Sequence, residues 1–277
     1  MNNTMKQTEQ NSLYESLDTM STTALLEGIN TEDRKVPEAV AACIPQIARF
    51  VDAAVERLKR GGRVFYIGAG TSGRIGITDA SEIPPTFGMS GVFIGLIAGG
   101  DAAIRNAVEG AEDDPEQGWK DLLAFHPTPE DSLVGITASG GAPYVVGAIQ
   151  KAREAGLLTA SISCNEESAV SKASEIPIIA IVGPEFVTGS TRMKSGTATK
   201  LILNMISTSV MIRLGRVRGN HMVDMQLTNK KLVDRGTRMI LEETGMTDYA
   251  AAKALLLRYG SVRAALASMN IFSNFVA

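Results

Sequence analysis

Two short segments combine glycine with hydroxyl-bearing residues in an arrangement that suits an anion. They are residues 66–74, YIGAGTSGR, and residues 135–143, GITASGGAP. Each follows an apolar run typical of a strand and precedes a helix-like stretch, so it supplies unpaired backbone N–H groups at the positive end of a helix dipole. Glycine allows the backbone to approach a ligand closely. Together they predict a phosphate site whose ligands are Gly70, Thr71, Ser72, Thr137, Ser139 and Gly140.

The first segment also spells a dinucleotide fingerprint through Gly68, Gly70 and Gly73. A dinucleotide site further requires an acidic residue at the end of the second strand to hold the ribose. Here the next acidic residue, Asp101, comes well past that point, and the hydroxyl groups favour a phosphomonoester. Nucleotide binding stays an alternative, testable by titrating NAD against Trp119 fluorescence, and so does a purely structural role of the glycines in tight turns.

Two glutamates are candidates for proton transfer. Glu82 stands at the end of the helix that the first glycine segment begins, just before Pro84-Pro85. Glu112 stands on a predicted helix after the second strand. Both belong to βα units that adjoin the carboxyl edge of the sheet, where two carboxylates facing one substrate can divide acid and base roles.

A third segment, residues 184–200, follows an apolar strand and carries two cations among small hydroxyl residues. This composition suits an anionic ligand, although an ordinary helix N-terminus with surface charge explains it equally well. The candidate ligands here are Ser190, Thr191, Arg192 and Lys194.

Strands and helices alternate through the middle of the chain, which predicts βαβ units and a parallel sheet. The strands are continuously apolar, so both faces of the sheet are covered and the expected fold is a doubly wound αβα sandwich. The predicted strands are residues 63–68, 92–100, 133–141, 159–164 and 176–183, and the predicted helices between them are residues 72–82, 103–113, 143–155 and 166–173.

Helical patterns flank this region. After a polar lead-in of residues 1–20, which we expect to be mobile, Ser21 caps a helix that ends near Asn30, and a second helix continues to Gly61-Gly62. A long helix follows Gly189, and short helices punctuated by Gly245 and Gly260 fill the tail from about residue 237. The expected division is an N-terminal helical region, a ligand-binding domain and a C-terminal helical region, at residues 1–53, 54–217 and 218–277.

The composition excludes several classes of protein. A net charge of −3, a pI of about 5.6 and 5% aromatic residues leave no basic surface for nucleic acid or for a membrane. Two cysteines and two histidines without close pairing argue against zinc. With no apolar run of ~20 residues and no secretory signal, we expect a cytoplasmic protein.

Several motifs together resemble one family, the bacterial N-acetylmuramic acid 6-phosphate etherases, which are related to glucokinase regulatory protein and belong to the SIS (sugar isomerase) superfamily. The resemblance covers roughly residues 20–270. It implies a SIS fold, a sugar-phosphate substrate from which D-lactate is released, no metal or redox cofactor, and a homodimer. The motifs are GAGTSGR, DASEIPPTFG, LIAGG, VEGAEDD, PYV and GPEFVTGSTRMKSGTATK.

The family's catalytic carboxylates match Glu82 and Glu112. The resemblance assigns Glu82 as the acid that assists lactate departure and Glu112 as the base at C2 of the sugar, although the two roles could be exchanged. The chain departs from the family's SGRTPY at the second glycine segment, where it has Gly141 and Ala142. Loss of a hydrogen bond to a charged group costs about 1.5–3 kcal/mol, which Thr137 could offset.

Two further functions stay open at this point. A sugar-phosphate sensor without activity would need no paired carboxylates, and a D-lactate assay separates it from an etherase. A sugar-phosphate isomerase or another SIS lyase would interconvert fructose 6-phosphate or glucosamine 6-phosphate. Residues 270–277 do not resemble the rest of the tail and have no assigned role.

Overall fold

A computed structural model of the chain describes residues 6–269. The chain forms two compact units. The first comprises the residues up to Ser81 and Val92–Val210, and the second comprises Glu82–Gly91 and the residues from Met211 onward. The division at residues 53 and 217 stays a prediction, and residues 270–277 lie outside the described part of the chain.

Thirteen α-helices are found among the described residues. In chain order they are α1 (Thr22–Asp33), α2 (Val36–Ala41), α3 (Ile44–Lys59), α4 (Gly70–Ser81), α5 (Ile83–Phe87), α6 (Ala102–Arg105), α7 (Gln117–Leu123), α8 (Pro143–Glu154), α9 (Ala169–Ala173), α10 (Lys194–Arg213), α11 (Lys230–Thr244), α12 (Tyr249–Tyr259) and α13 (Val262–Ser268). No helix among the described residues is long and apolar enough to cross a membrane.

A five-stranded parallel sheet forms the centre of the first unit, in the order β2-β1-β3-β4-β5. Its strands are β1 (Val64–Gly68), β2 (Phe93–Ile97), β3 (Ser132–Ile136), β4 (Leu158–Ser163) and β5 (Ile176–Ile179). Every residue of β1, β3 and β4 is buried, which explains why β1 and β3 are largely apolar rather than alternating. In β4, Thr159, Ser161 and Ser163 alternate with apolar residues and are also buried. The predicted α/β class and parallel sheet are confirmed.

Helices cover both faces of this sheet. On one face, Phe65 and Ile67 of β1 belong to a core that includes side chains of α7, α8 and α9. On the other face, Tyr66 lies against Gly76 of α4. Because β1 pairs with β2 on one side and with β3 on the other, the chain winds in opposite directions from β1, and the carboxyl ends of β1 and β3 flank the crevice where such sheets bind ligands.

The helices depart from the predicted ones at three places. The second helix, predicted to continue to Gly61-Gly62, breaks between α2 and α3, because Pro45 in the first turn of α3 has no N–H for the preceding turn. The helix predicted over residues 103–113 ends at Arg105, where Asn106 becomes extended and Gly110 has a φ of +70°. Residues 117–123 form α7, which was not predicted.

The lead-in before α1 is attached to the first unit, and our expectation of a mobile segment is wrong for its described part. Thr8 donates its backbone N–H to Asn165 Oδ1 at 3.2 Å, and the Asn165 amide donates to Thr8 Oγ1 at 2.9 Å. Ser12 Oγ donates to the carbonyl of Phe186 at 2.7 Å. Its polar composition therefore reflects hydrogen bonds to distant loops.

The second unit contains α5, the short antiparallel strands β6 (Val217–Arg218) and β7 (His221–Met222), and helices α11 to α13. Its core includes Met225, Ile240, Leu256 and Leu266. The tail helices begin at Lys230 rather than near residue 237, whereas α11 and α12 end as predicted at glycines with positive φ.

The turn between β1 and α4 leads to a test of stability. A Cβ at Gly68 would come within 2.6 Å of the backbone nitrogen of Gly73, so Gly68→Ala should lower the free energy of unfolding by about 3 kcal/mol. Gly70 has open space around it but a φ of +51°, so Gly70→Ala should cost only about 1 kcal/mol. Urea unfolding followed by Trp119 fluorescence measures both, and equal losses would contradict the close backbone approach at Gly68.

Candidate active site

A cavity of about 280 Å³ opens at the carboxyl edge of the sheet in the first unit. It collects residues from four separate stretches of the chain and from the lead-in. The lining residues are Glu9, Ala69, Gly70, Thr71, Ser72, Glu112, Ile136, Thr137, Ala138, Ser139, Ala142, Gly189, Thr191, Gly196 and Thr199.

The first wall is the turn from β1 into α4. β1 ends at Gly68, whose carbonyl accepts the backbone N–H of Ala98 at 3.0 Å, and α4 begins two residues later at Gly70. Thr71 and Ser72 therefore occupy the first turn of a helix, where the backbone N–H groups have no partner within the helix. The hydroxyl groups of Thr71 and Ser72 are further hydrogen-bond donors beside those N–H groups.

The second wall is the turn that follows β3. Gly140, with a φ of +71°, makes the sharp bend and passes so close to Ser168 that a Cβ would clash. Asn165 holds the turn through its side-chain amide, which donates to the carbonyls of Ala138 at 3.4 Å and Ser139 at 3.2 Å. Thr137 and Ser139 thus line the cavity from a fixed backbone, and Gly140 shapes the turn without lining it.

The third wall is the start of α10. The buried carboxylate of Glu185 accepts the backbone N–H of Lys194 at 2.9 Å and of Ser195 at 3.0 Å, so it caps this helix. A Cβ at Gly196 would lie 3.6 Å from the Thr71 methyl group, which places the first turns of α10 and α4 side by side. Thr191, Gly196 and Thr199 contribute to the cavity from here.

The cavity is bordered by the first turns of α4 and α10 and by Ala142, the residue that precedes α8. The dipoles of α4 and α8 have their positive ends toward the cavity and stabilise a bound anion, whereas the Glu185 carboxylate offsets the dipole of α10. The four hydroxyl groups of Thr71, Ser72, Thr137 and Ser139 can donate to the anion's oxygens. Ala142 offers no hydroxyl group here.

Glu112 lines the same cavity but lies in a turn between α6 and α7, so the prediction that it stands on a helix is wrong. Its backbone carbonyl accepts the N–H of Tyr144 in the first turn of α8 at 2.9 Å. The turn is held close to α8, since a Cβ at Gly147 would overlap the carbonyl of Pro115. The exposed Glu112 carboxylate is therefore carried by a firmly attached backbone.

Glu82 belongs to the second unit, where it precedes α5 directly after the last residue of α4. Its side chain is exposed, and its carbonyl accepts the N–H of Thr86 at 3.3 Å. The lining residues of the cavity all belong to the first unit, so the catalytic role of Glu82 stays a prediction.

Lys194 is enclosed in the protein and does not line the cavity. Its ammonium lies 2.7 Å from Glu32 Oε2, with the two side chains 1% and 3% exposed. Burial alone would raise the pKa of Glu32, but hydrogen bonds from Lys194 and Lys35 outweigh it and lower the pKa below its ordinary value of 4.5. This pair ties α1 to the start of α10, so the structure gives Lys194 a structural contact, and its contact with a ligand stays a prediction.

Two other predicted ligands are outside the cavity lining. Ser190 accepts the N–H of Met193 through its carbonyl at 3.1 Å, and Arg192 is exposed. By contrast, Glu9 and Thr199 line the cavity and were not predicted. Thr199 lies on α10 little more than one turn after Lys194, so helical periodicity could have predicted it. No feature of the lead-in sequence marks Glu9 as a lining residue.

Comparison with known proteins gives the chain a family context. A family model described as the glucokinase regulatory protein N-terminal SIS domain matches residues 46–153. The chain is 60% identical to an N-acetylmuramic acid 6-phosphate etherase of Bacteroides thetaiotaomicron over 263 residues, covering 95% of each chain. It is also 60% identical to one of Porphyromonas gingivalis, covering 95% of this chain and 96% of the relative.

Solved structures show the same fold at low sequence identity. A phosphoheptose isomerase from Francisella tularensis superposes with a TM-score of 0.50 at 20% identity, covering 68% of this chain and all of that chain. A Bacteroides fragilis structure described as a phosphosugar isomerase involved in capsule formation gives a TM-score of 0.52 at 21% identity, covering 70% of this chain and 97% of that chain. The predicted SIS architecture is thereby confirmed.

The buried ion pair behind the third wall can be tested by removing its cation. Lys194→Met leaves the enclosed Glu32 carboxylate without its buried cation, so it should lower the free energy of unfolding at pH 7 by about 3–5 kcal/mol. Lys35→Met is the matched control, because the Lys35 side chain is 47% exposed, so water screens its charge and its removal should cost less than that of the buried Lys194. Urea unfolding at pH 7 compares the two, and equal losses would contradict the structural role.

The pH dependence of the unfolding free energy gives a second test of the Glu32–Lys194 ion pair. Since folding lowers the pKa of Glu32, its stabilising contribution is present above the unfolded value of 4.5 and is lost as the pH falls through the folded value. In Glu32→Gln, the fall in unfolding free energy below pH 4.5 should therefore be shallower than in the parent. An identical acid profile in the two proteins would contradict this assignment.

Proposed function

This chain belongs to the N-acetylmuramic acid 6-phosphate etherase family, and we propose that it cleaves the C3 lactyl ether of N-acetylmuramic acid 6-phosphate by elimination followed by hydration. The products are N-acetylglucosamine 6-phosphate and D-lactate. The observation that carries this proposal is the cavity in the first unit, where the hydroxyl-rich turns after β1 and β3, suited to a phosphate, border the Glu112 carboxylate.

The chemistry begins with the open-chain sugar, in which C2 lies next to an aldehyde and its proton is weakly acidic. A base removes this proton, the C3–oxygen bond breaks, and lactate leaves with the ether oxygen and a proton from an acid. Water then adds to the resulting C2–C3 double bond, with its oxygen at C3 and a proton at C2. One water molecule is consumed in total.

We assign Glu112 as the base at C2 and Glu82 as the acid that protonates lactate and later activates water. Support for Glu112 is its exposed carboxylate at the cavity wall, on a turn whose carbonyl is held by the start of α8. Support for Glu82 is its match to the family motif DASE. General acid and base groups contribute about 10²–10⁴-fold each, and the two roles can be distinguished by isotope exchange.

The substrate's phosphate is proposed to lie among the helix starts, with Thr71, Ser72, Thr137 and Ser139 as its hydroxyl donors. Gly70 and Gly140 shape the two turns, and the contributions of Ser190, Thr191, Arg192 and Lys194 remain part of the proposal. The enzyme is further proposed to act in the cytoplasm as a homodimer, in amino-sugar recycling and without a metal or redox cofactor, as its family membership suggests.

Product analysis in labelled water tests the reaction. Incubation with N-acetylmuramic acid 6-phosphate in H₂¹⁸O should place ¹⁸O in N-acetylglucosamine 6-phosphate and none in D-lactate, because the C3–oxygen bond breaks. In D₂O the sugar product should carry deuterium at C2. Absence of D-lactate would contradict the etherase activity, and ¹⁸O in lactate would contradict elimination.

Glutamine variants test the two roles separately. Glu112→Gln should lower both lactate release and deuterium exchange at C2 of N-acetylglucosamine 6-phosphate by at least about 10²-fold, since both steps need the base. Glu82→Gln should lower lactate release by a similar factor but retain the exchange. Glu109→Gln, an exposed glutamate of the same turn, is the matched control with parent activity. Parent rates in either catalytic variant would overturn its assignment.

A further inference from the structure

The lead-in segment and the second wall of the cavity are held by one side chain. Asn165 exchanges two hydrogen bonds with Thr8, at 3.2 and 2.9 Å, and the same amide donates to the carbonyls of Ala138 and Ser139. Thr8 is buried, with 1% of its surface exposed. Residues beside Thr8 are therefore fixed relative to the turn that carries Thr137 and Ser139.

Of the two charged residues on either side of Thr8, Glu9 lines the cavity and Lys6 lies next to Gly141, in the turn that carries the lining residue Ser139. Glu9 lines the cavity, and its Oε2 would lie 3.9 Å from a Cβ at Gly189. On the other side, the ammonium of Lys6 would lie 3.1 Å from a Cβ at Gly141. The lead-in thus extends from the second wall, at Gly141, to the third wall, at Gly189.

The charges at this cavity leave a requirement for a cation. Of the described residues that line it, the charged ones are Glu9 and Glu112, both carboxylates. A phosphomonoester dianion bound beside two carboxylates needs a compensating positive charge in addition to the helix dipoles. Lys194 is paired with Glu32 inside the protein, whereas the Lys6 ammonium lies directly beside the turn that carries Ser139.

We propose that Lys6 is a ligand of the substrate's phosphate and that the lead-in carries it into the site. This inference rests on the proposed function for the identity of the substrate. The substrate offers two anions, the phosphate and the lactyl carboxylate, and the phosphate is chosen because Lys6 adjoins the hydroxyl- and amide-rich turn rather than the carboxylate of Glu112. Lysine acts on phosphate as a point charge with three donors, so its loss weakens binding more than it slows chemistry.

Kinetics of Lys6→Met test the proposal. The KM for N-acetylmuramic acid 6-phosphate should rise by about tenfold with kcat within about twofold of the parent, as expected for a lost charged hydrogen bond made equally in the ground and transition states. Lys6→Arg should retain most of the affinity. Lys59→Met is the matched control, because Lys59 is exposed and pairs with Glu56 at 2.8 Å, and its KM should equal that of the parent.

Binding of the product separates the two anions and does not require turnover. N-acetylglucosamine 6-phosphate has the phosphate but lacks the lactyl carboxylate, so calorimetric titration should show its affinity for Lys6→Met falling by about the same tenfold factor. The parent's affinity should also fall more steeply with added NaCl than that of the variant.

Two results would overturn the proposal. Unchanged KM and product affinity in Lys6→Met would remove Lys6 from the site, and a raised KM with unchanged product affinity would assign it to the carboxylate instead. Lys6→Gln repeats the measurement if the methionine variant does not fold. A parent enzyme that binds the product but releases no D-lactate would contradict the proposed function alone, because the titrations would still test Lys6.

Discussion

Hydroxyl groups of the turns after β1 and β3, together with the unpaired backbone N–H groups in the first turn of α4, are the feature on which this site depends. They converge because β1 and β3 are adjacent and parallel, so that α4 and α8 start at the same edge of the sheet. α10 reaches the same space from the end of the first unit's chain and packs its Gly196 near Thr71. A phosphate can then be bound largely by main-chain groups and small hydroxyl groups, which need no long side chain to be ordered on binding.

Buried polar contacts keep these turns in place. Glu185 satisfies two N–H groups at the start of α10, and Glu32 joins α1 to the same helix through Lys194. Asn165 fixes the second turn and the lead-in together. The Glu32–Lys194 and Asn165–Thr8 contacts join residues 162 and 157 positions apart, whereas Glu185 acts on residues nine and ten positions away. Each buried group would be costly to leave without its partner.

Local signals in the sequence were sufficient for the sheet and for much of the cavity. Apolar runs, glycine turns and hydroxyl residues can be recognised from neighbouring positions in the sequence. Thr71, Ser72, Thr137 and Ser139 were predicted in this way, and they do line one cavity. The turn that carries Glu112 was mistaken for a helix, because its breaks at Asn106 and Gly110 stand inside a helix-like composition. Glu9 and the buried state of Lys194 depend on contacts across more than a hundred residues, such as Lys194 with Glu32, which periodicity does not report.

The turns and helix starts at the β1–β3 edge are proposed to hold the phosphate. A crystal structure with N-acetylglucosamine 6-phosphate tests this proposal most directly. We expect phosphate oxygens within about 3.2 Å of the hydroxyl groups of Thr71, Ser72, Thr137 and Ser139, or of the N–H groups in their turns. Phosphate bound elsewhere, with these groups contacting only solvent, would contradict it.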